Sequence, residues 1–183
     1  MGRPTLDEEA HWVERARNEP EAFLVLYKLY LPALYRYCYY RTGSKAEAED
    51  AVAETFLQAR EYIHRYQFRE IPFSHWLYRI AGRIVSREGR RRQREVQMEE
   101  LAPDAAARDE ALNGVSTRLD LEAALRTLPK LQQEALSLRY IQDLSLRDTA
   151  RIMDRSEGAV KQLTFRALQT LRERLGKDEG SGE

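Results

Sequence analysis

Ser145-Leu-Arg-Asp-Thr-Ala-Arg-Ile-Met153 runs directly into Asp154-Arg-Ser-Glu-Gly-Ala-Val-Lys-Gln-Leu-Thr-Phe-Arg-Ala-Leu-Gln-Thr-Leu171. The pattern predicts a short helix, a tight break and a longer amphipathic helix. Ser145, with Asp148 three residues on, reads as the cap of the first helix, and Ser156 as the cap of the second. Val160, Leu163, Ala167 and Leu171 share one face of the second helix, and Ala150 permits a close crossing by the first. This is the outline of a helix-turn-helix, which lays its second helix in the DNA major groove. Lys161, Gln162, Phe165 and Arg166 fall off the apolar face. Arginine pairs bidentately with guanine and glutamine with adenine. Ser156, Glu157 and Gly158 stand at the helix N-terminus, where backbone N–H groups suit a phosphate.

Working outward, the whole chain reads as all-α. Helices are expected over 6–17, 20–41, 45–62 and from Pro72 onward. In the second, Phe23, Leu26, Tyr27, Tyr30, Leu34, Tyr37 and Cys38 recur at three- and four-residue steps; Pro32 should kink or divide it. Thr42-Gly43 ends it, and Ser44-Lys-Ala-Glu47 has the form of a capping box. Ala48, Ala51, Val52, Thr55, Phe56 and Ala59 line one side of the third. The fourth buries Trp76, Leu77, Ile80 and Ile84. From about 96 to 118 the apolar stripe dissolves into alanines, acids, Pro103 and Gly114, which reads as a flexible linker. Leu121, Leu125 and Leu128, then Leu131, Ala135, Leu136, Leu138 and Ile141, resume the pattern. The units expected are thus 1–95, a linker 96–118, 119–176 and a disordered tail 177–183.

Composition excludes several classes of function. The 183 residues carry no net charge, which argues against a general polyanion binder. The charge is unevenly placed: residues 1–95 are net +3 and residues 96–118 net −3, with Arg87, Arg90, Arg91, Arg92 and Arg94 clustered. No apolar run approaches the ~20 residues of a membrane span, and the N-terminus lacks the apolar core of a signal peptide. A lone cysteine, Cys38, forms no intrachain disulfide and fits a reducing cytoplasm. His11, His64 and His75 show no zinc spacing, and there is no phosphate-loop glycine pattern. The expectation is a non-enzymatic chain without cofactor or metal.

The resemblance that organises these features is to bacterial sigma-70 family RNA polymerase sigma factors, in particular the extracytoplasmic-function (ECF) group. Leu128-Pro-Lys-Leu-Gln-Gln-Glu-Ala-Leu-Ser-Leu-Arg-Tyr140, Leu144 to Met153 and Gly158 to Ala167 resemble region 4. Ala48-Glu-Asp-Ala-Val-Ala-Glu-Thr-Phe-Leu57 resembles region 2.2. Pro72-Phe-Ser-His-Trp-Leu-Tyr-Arg-Ile-Ala81 with Arg90-Arg-Arg92 resembles regions 2.3 and 2.4.

The resemblance implies two small helical domains that bind RNA polymerase core and recognise promoter −10 and −35 elements. It places Glu49, Asp50, Val52, Glu54 and Thr55 against the clamp coiled coil of the largest subunit, with the flap as a further contact. Single-stranded −10 DNA wants cations and aromatic faces, which Arg65, Tyr66, Phe68 and Arg69 offer in one loop. Arg79, Arg83, Arg87 and Arg90, with Arg91, form a basic ridge behind it. Trp76, on the apolar stripe, reads as core. Ser156, Glu157, Gly158, Lys161, Gln162, Phe165 and Arg166 make the −35 set. An anti-sigma factor is a further implied partner, and no membrane insertion is expected. The acidic linker reads either as a mimic of nucleic acid in a basic channel or as a solubilising tether. The chain departs from the family pattern at Arg83, where asparagine is common, at Gln162-Leu163-Thr164, and at Asp154, where glycine is common. The other reading of the same motif is a stand-alone regulator that binds duplex DNA as a dimer.

Overall fold

The computed structural model describes residues 5–67, 72–100 and 123–178, with the backbone path alone for 95–100 and 176–178. Phe68, Arg69, the linker past Glu100 and the tail past Asp178 lie outside the described residues. Among the described residues there is helix and no strand. No described helix is long and apolar enough to cross a membrane.

Helix α1, Leu6–Ala16, opens on a complete capping box between Thr5 and Glu8. Helix α2, Pro20–Thr42, passes through Pro32 undivided. An interior proline costs about 3 kcal/mol. Leu26, Leu34 and Tyr37 on the same helix are almost wholly buried, and each such side chain returns about 1.5–3 kcal/mol. Packing therefore outweighs the break that the sequence signals. Gly43, at φ 70°, ends α2 and donates its N–H to the Tyr39 carbonyl at 2.8 Å. Helix α3, Lys45–Tyr62, is capped by Ser44. The other half of the expected capping box is diverted, because the Glu47 carboxylate pairs with Arg92 of a later helix. A 3-10 turn, Ile63–Arg65, follows. Helix α4, Phe73–Glu100, runs five residues past the domain boundary expected at 95. Val13, Leu26, Leu34, Val52, Phe56, Phe73, Leu77 and Ile84 share the core of this first unit.

The second unit holds a helical turn at 123–126, then α5, Lys130–Leu136, which continues as a π-helical turn, Ser137–Ile141. Helix α6, Leu146–Met153, and helix α7, Glu157–Asp178, complete the helix-turn-helix. Helix α7 extends two residues into the expected tail. Leu125, Leu128, Leu136, Ala167 and Leu171 form its core, with Ala135, Ala150 and Val160 at the helix crossing. Leu131, read as a stripe member, is exposed instead.

The two units are docked against each other. Leu138, Leu144 and Ile152 of the second belong to the same buried cluster as the first unit's core. Tyr40 of α2 packs in return on the second unit's cluster. Helix α6 lies on α4, and the π turn lies on α2.

Asp154 takes the turn of the helix-turn-helix at φ 54°, ψ 52°, donating its N–H to the Ala150 and Arg151 carbonyls. L-residues reach this region at a cost of about 1–2 kcal/mol, less for aspartate. Asp154→Gly is therefore expected to stabilise the fold by about 0.5–1 kcal/mol. Thermal unfolding checks this; an unchanged or lower midpoint would count against strain at that turn.

Candidate nucleic-acid interface

Helix α7 begins at a real cap: the Ala159 N–H donates to Ser156 Oγ at 3.2 Å. Val160 and Ala167 are fully buried and Thr164 nearly so, which fixes the rotation of the helix. That rotation turns Ser156, Glu157, Gly158, Lys161, Gln162, Phe165 and Arg166 to solvent. All seven residues of the upstream set stand together on one exposed surface. Phe165 is 67 % exposed, an unusual place for a large aromatic ring on a helix that has an apolar face to bury it in. Its ring offers the apolar contact that a thymine methyl accepts in the major groove.

The loop set divides. Arg65 is exposed on the 3-10 turn, its guanidinium 5.3 Å from the Tyr62 ring centroid. Tyr66 is buried, which corrects its expected place on the surface. Its ring stacks on Trp76 at 4.8 Å and meets Phe73 edge-on. Its carbonyl accepts from Arg17 at 2.8 Å. Tyr66 pins the loop to the fold because that aromatic cluster needs a ring there. Trp76 is half-buried in the same cluster, as its place on the stripe predicts. Arg65, Gln67, Trp76, Arg79 and Arg151 line a cleft of about 230 Å³ at this point.

Arg79, Arg83, Arg87, Arg90 and Arg91 are all exposed on α4, but they do not all face one way. Arg87 turns toward α3 and holds Glu54 with two hydrogen bonds of 2.7 and 2.9 Å, while also pairing with Glu88. These carboxylates raise the Arg87 pKa, Glu54 foremost. Arg79 donates its Nε to the Arg151 carbonyl of α6 at 3.1 Å.

On α3, Glu49 and Asp50 are exposed. Val52 and Thr55 are not: Val52 is 4 % exposed, and Thr55 is fully buried with its hydroxyl donating to the Ala51 carbonyl at 2.6 Å. Both belong to the stripe that packs α3 on α2, so neither offers a surface contact. The exposed face instead runs Glu49, Asp50, Ala53, Leu57, with Leu57 69 % exposed. The sequence carried that signal as an apolar residue four positions on from Ala53 and outside the buried stripe.

Two buried groups bear on this surface. The Glu9 carboxylate accepts from the Tyr30 hydroxyl and, at 2.8 Å, from the Phe73 N–H. It thereby ties α1 to the start of α4, where the loop ends. Burial raises the Glu9 pKa against the opposing pull of Tyr30 and the Phe73 and Ser74 backbone. The Cys38 thiol is pushed up to about 12 by burial, which leaves it protonated and unreactive at neutral pH. No cluster of metal-ligating side chains occurs among the described residues.

Comparison with known proteins finds two family matches, in chain order. Residues 26–95 match Sigma-70 region 2, and residues 118–171 match Sigma-70, region 4. The ECF RNA polymerase sigma factor BldN of Streptomyces coelicolor is 38 % identical over 96 % of this chain and 70 % of its own length. SigD of Mycobacterium tuberculosis is 33 % identical, covering 79 % of this chain and 72 % of SigD. Among solved structures, the sigma factor RpoE in complex with the anti-sigma factor NepR from Bartonella quintana matches with a TM-score of 0.70. It is 28 % identical and covers 84 % of this chain and 96 % of its own. CnrH in complex with the cytosolic domain of CnrY, at 21 % identity and a TM-score of 0.72, covers 93 % and 98 % and shares the fold.

The Glu9 anchor makes a pH prediction. A carboxyl whose folded pKa is raised contributes stability below its unfolded value, and that contribution is lost as pH rises through the folded value. Glu9→Gln keeps an acceptor for the Phe73 N–H and removes the charge. Its stability relative to the parent chain is expected to improve as pH rises above the ordinary carboxyl range and to level off once Glu9 is ionised in the folded chain, read by urea unfolding. A constant difference would show that Glu9 is not the titrating group.

Proposed function

Because the chain belongs to the sigma-70 family, among the ECF RNA polymerase sigma factors, we propose that its exposed surfaces divide the work of promoter selection between polymerase, the −10 strand and the −35 duplex. The protein is an RNA polymerase sigma factor. It binds core polymerase and directs transcription initiation at specific promoters. The assignment of individual side chains to these contacts is our own reading.

Helix α7 is the −35 reader. The observation that carries this assignment is the single solvent-facing patch of Lys161, Gln162, Phe165 and Arg166 on a capped helix whose other side is locked into the core. Arg166 and Gln162 have the donors for base edges, Lys161 suits a phosphate, and Phe165 suits a thymine methyl. Arg65, Arg79, Arg83, Arg90 and Arg91 supply the −10 contacts, and Phe68 and Arg69, outside the described residues, belong to the same proposed set by sequence. Arg87, held by Glu54, serves the α3–α4 junction. Glu49, Asp50, Ala53 and Leu57 form the polymerase face, an apolar centre with an acidic rim that fits an amphipathic helix carrying basic groups. An anti-sigma protein is a third expected partner, in keeping with the RpoE–NepR complex.

Run-off transcription with core polymerase over a library of genomic fragments tests the function. Discrete promoter-dependent transcripts are expected, together with co-elution of the chain and core. A chain that binds duplex DNA tightly as a dimer and does not co-elute with core would overturn it.

Arg166→Ala is expected to weaken −35 binding by about 1–3 kcal/mol, most strongly at one base position; footprints over promoter variants measure this. Arg83→Ala combined with Arg90→Ala should reduce promoter opening, read by permanganate reactivity, with core affinity unchanged. Leu57→Ala and Asp50→Ala should do the reverse, lowering competition for core while −35 binding persists.

A further inference from the structure

Helix α1 lies wholly ahead of residue 26, where the match to Sigma-70 region 2 begins. Its buried stripe is Glu9, Val13 and Ala16, at steps of four and three. Val13 and Ala16 are what a core-facing stripe calls for; a carboxylate that is 2 % exposed is not. A methionine or leucine side chain would fill the same space and leave no polar group to satisfy. What the carboxylate does there is hold backbone. Its Oε1 accepts from the Tyr30 hydroxyl, and its Oε2 accepts from the Phe73 N–H at 2.8 Å. Phe73 opens α4, and the first N–H groups of a helix have no acceptor within it. Pro72, just ahead, carries no side-chain acceptor, so Glu9 supplies the cap from another helix. A carboxylate also suits the positive pole at that end.

The other end of α1 makes the matching contact. Arg17, its C-cap, donates from Nη2 to the Tyr66 carbonyl at 2.8 Å, while Glu14 holds its Nη1 at 2.8 Å. Glu9 and Arg17 are eight residues apart, about 12 Å along the helix axis. One helix therefore grips the main chain on both sides of residues 67–72. Both contacts are to backbone atoms, so they set the path of the chain without occupying a side chain of the −10 set. Between the two grips the Tyr66 ring stacks on Trp76 at 4.8 Å and meets Phe73 edge-on at 5.5 Å. Arg65 stands directly before Tyr66, and it shares the cleft of about 230 Å³ with Arg79 of α4. The station of Arg65 relative to the α4 arginines is thus set from behind, by α1.

We propose that Glu9 and Arg17 are positioning residues for −10 recognition: by holding the Phe73 N–H and the Tyr66 carbonyl, they keep Arg65 and the α4 arginines in one geometry toward the −10 strand. The proposal rests on the sigma reading. Glu9 is buried and Arg17 is engaged by Tyr66 and Glu14, so both act through the backbone they hold and not on DNA. Base contacts held in place discriminate, because a wrong base then leaves a polar group without its partner. Released from α1, the same side chains reach more than one geometry, and only a fraction of the population is competent to bind. Loss of the grip therefore lowers selectivity between −10 sequences as well as affinity for them.

The test uses the full chain with core polymerase on a promoter from the run-off library and on copies with one −10 base changed. Glu9→Met and Arg17→Met fill the space without the acceptor or the donor; Glu9→Gln and Arg17→Lys put one back. The readout is the ratio of open-complex rates on the original and the altered promoter. The fraction of protein that is folded scales both rates alike, so a merely structural role leaves the ratio unmoved. The ratio is expected to fall about threefold or more in each Met variant and to stay within about twofold of the parent chain in Glu9→Gln and Arg17→Lys. Core affinity and −35 binding should match the parent chain in all four. In Glu9→Met the Phe73 amide should lose its protection against hydrogen exchange. Arg17 is only partly buried, so Arg17→Met decides the matter where Glu9→Met fails to fold. Unchanged ratios in the folded Met variants overturn the proposal, as does an equal fall in Glu9→Gln and Arg17→Lys. A parent chain that gives no promoter-dependent transcript overturns the sigma reading, and the proposal with it; that failure shows in the parent before any variant is read.

Discussion

Arg41 keeps its charge with its side chain wholly out of water, and three helices are arranged to make that tolerable. Burial alone works against a guanidinium, yet Tyr37 and Glu134 together hold its pKa above the usual value. Ser86 of α4 accepts from Nη2 at 3.3 Å, and the Tyr37 ring faces the cation at 5.4 Å. Two of these partners belong to the first unit by sequence and one to the second. A charge satisfied across a domain boundary makes each unit incomplete in the absence of the other, in a way that a purely apolar contact would not.

The same logic of paired charges explains why the basic surface is smaller than the sequence suggests. Arg87 and Arg92 reach across to Glu54 and Glu47, stapling α4 to α3. Exposed pairs of this kind contribute little stability, about 0–1 kcal/mol. Their larger effect is to fix which arginines remain for a phosphate. What is left is a narrower track through Arg83 and Arg90, with Arg79 bonded to the Arg151 carbonyl. The neutral overall charge and the local concentration of cations are thus compatible: acids are spent on geometry, and a few cations are left facing outward.

Much of this was legible in the chain because it is local. Ser145, Ser156 and Asp154 announce the helix-turn-helix, and each takes the expected capping or left-handed role. The Ala48-to-Ala59 stripe is buried in full. The same stripe contains Val52 and Thr55, so periodicity argues against them as contacts, although the motif resemblance points to them. Tyr66 is buried for a reason the sequence does not carry: an aromatic in a polar loop gives no sign of whether a cluster waits to receive it. Glu9 and the Arg41–Glu134 pair were invisible because their partners lie 64 and 93 positions away along the chain. Polar contacts of that span leave no periodic trace.

The π turn at Ser137–Ile141 carries one further consequence. There the Gln142 N–H reaches back five residues to the Ser137 carbonyl at 3.0 Å, so this stretch holds one residue more per turn than its neighbours. That surplus sets the angular heading of Gln142, whose amide grips Tyr78. Wound as an ordinary α-helix, the same residues would carry the Gln142 amide about 100° away from its handhold. Contact between the halves therefore depends on how tightly one turn is wound, as well as on the side chains that touch.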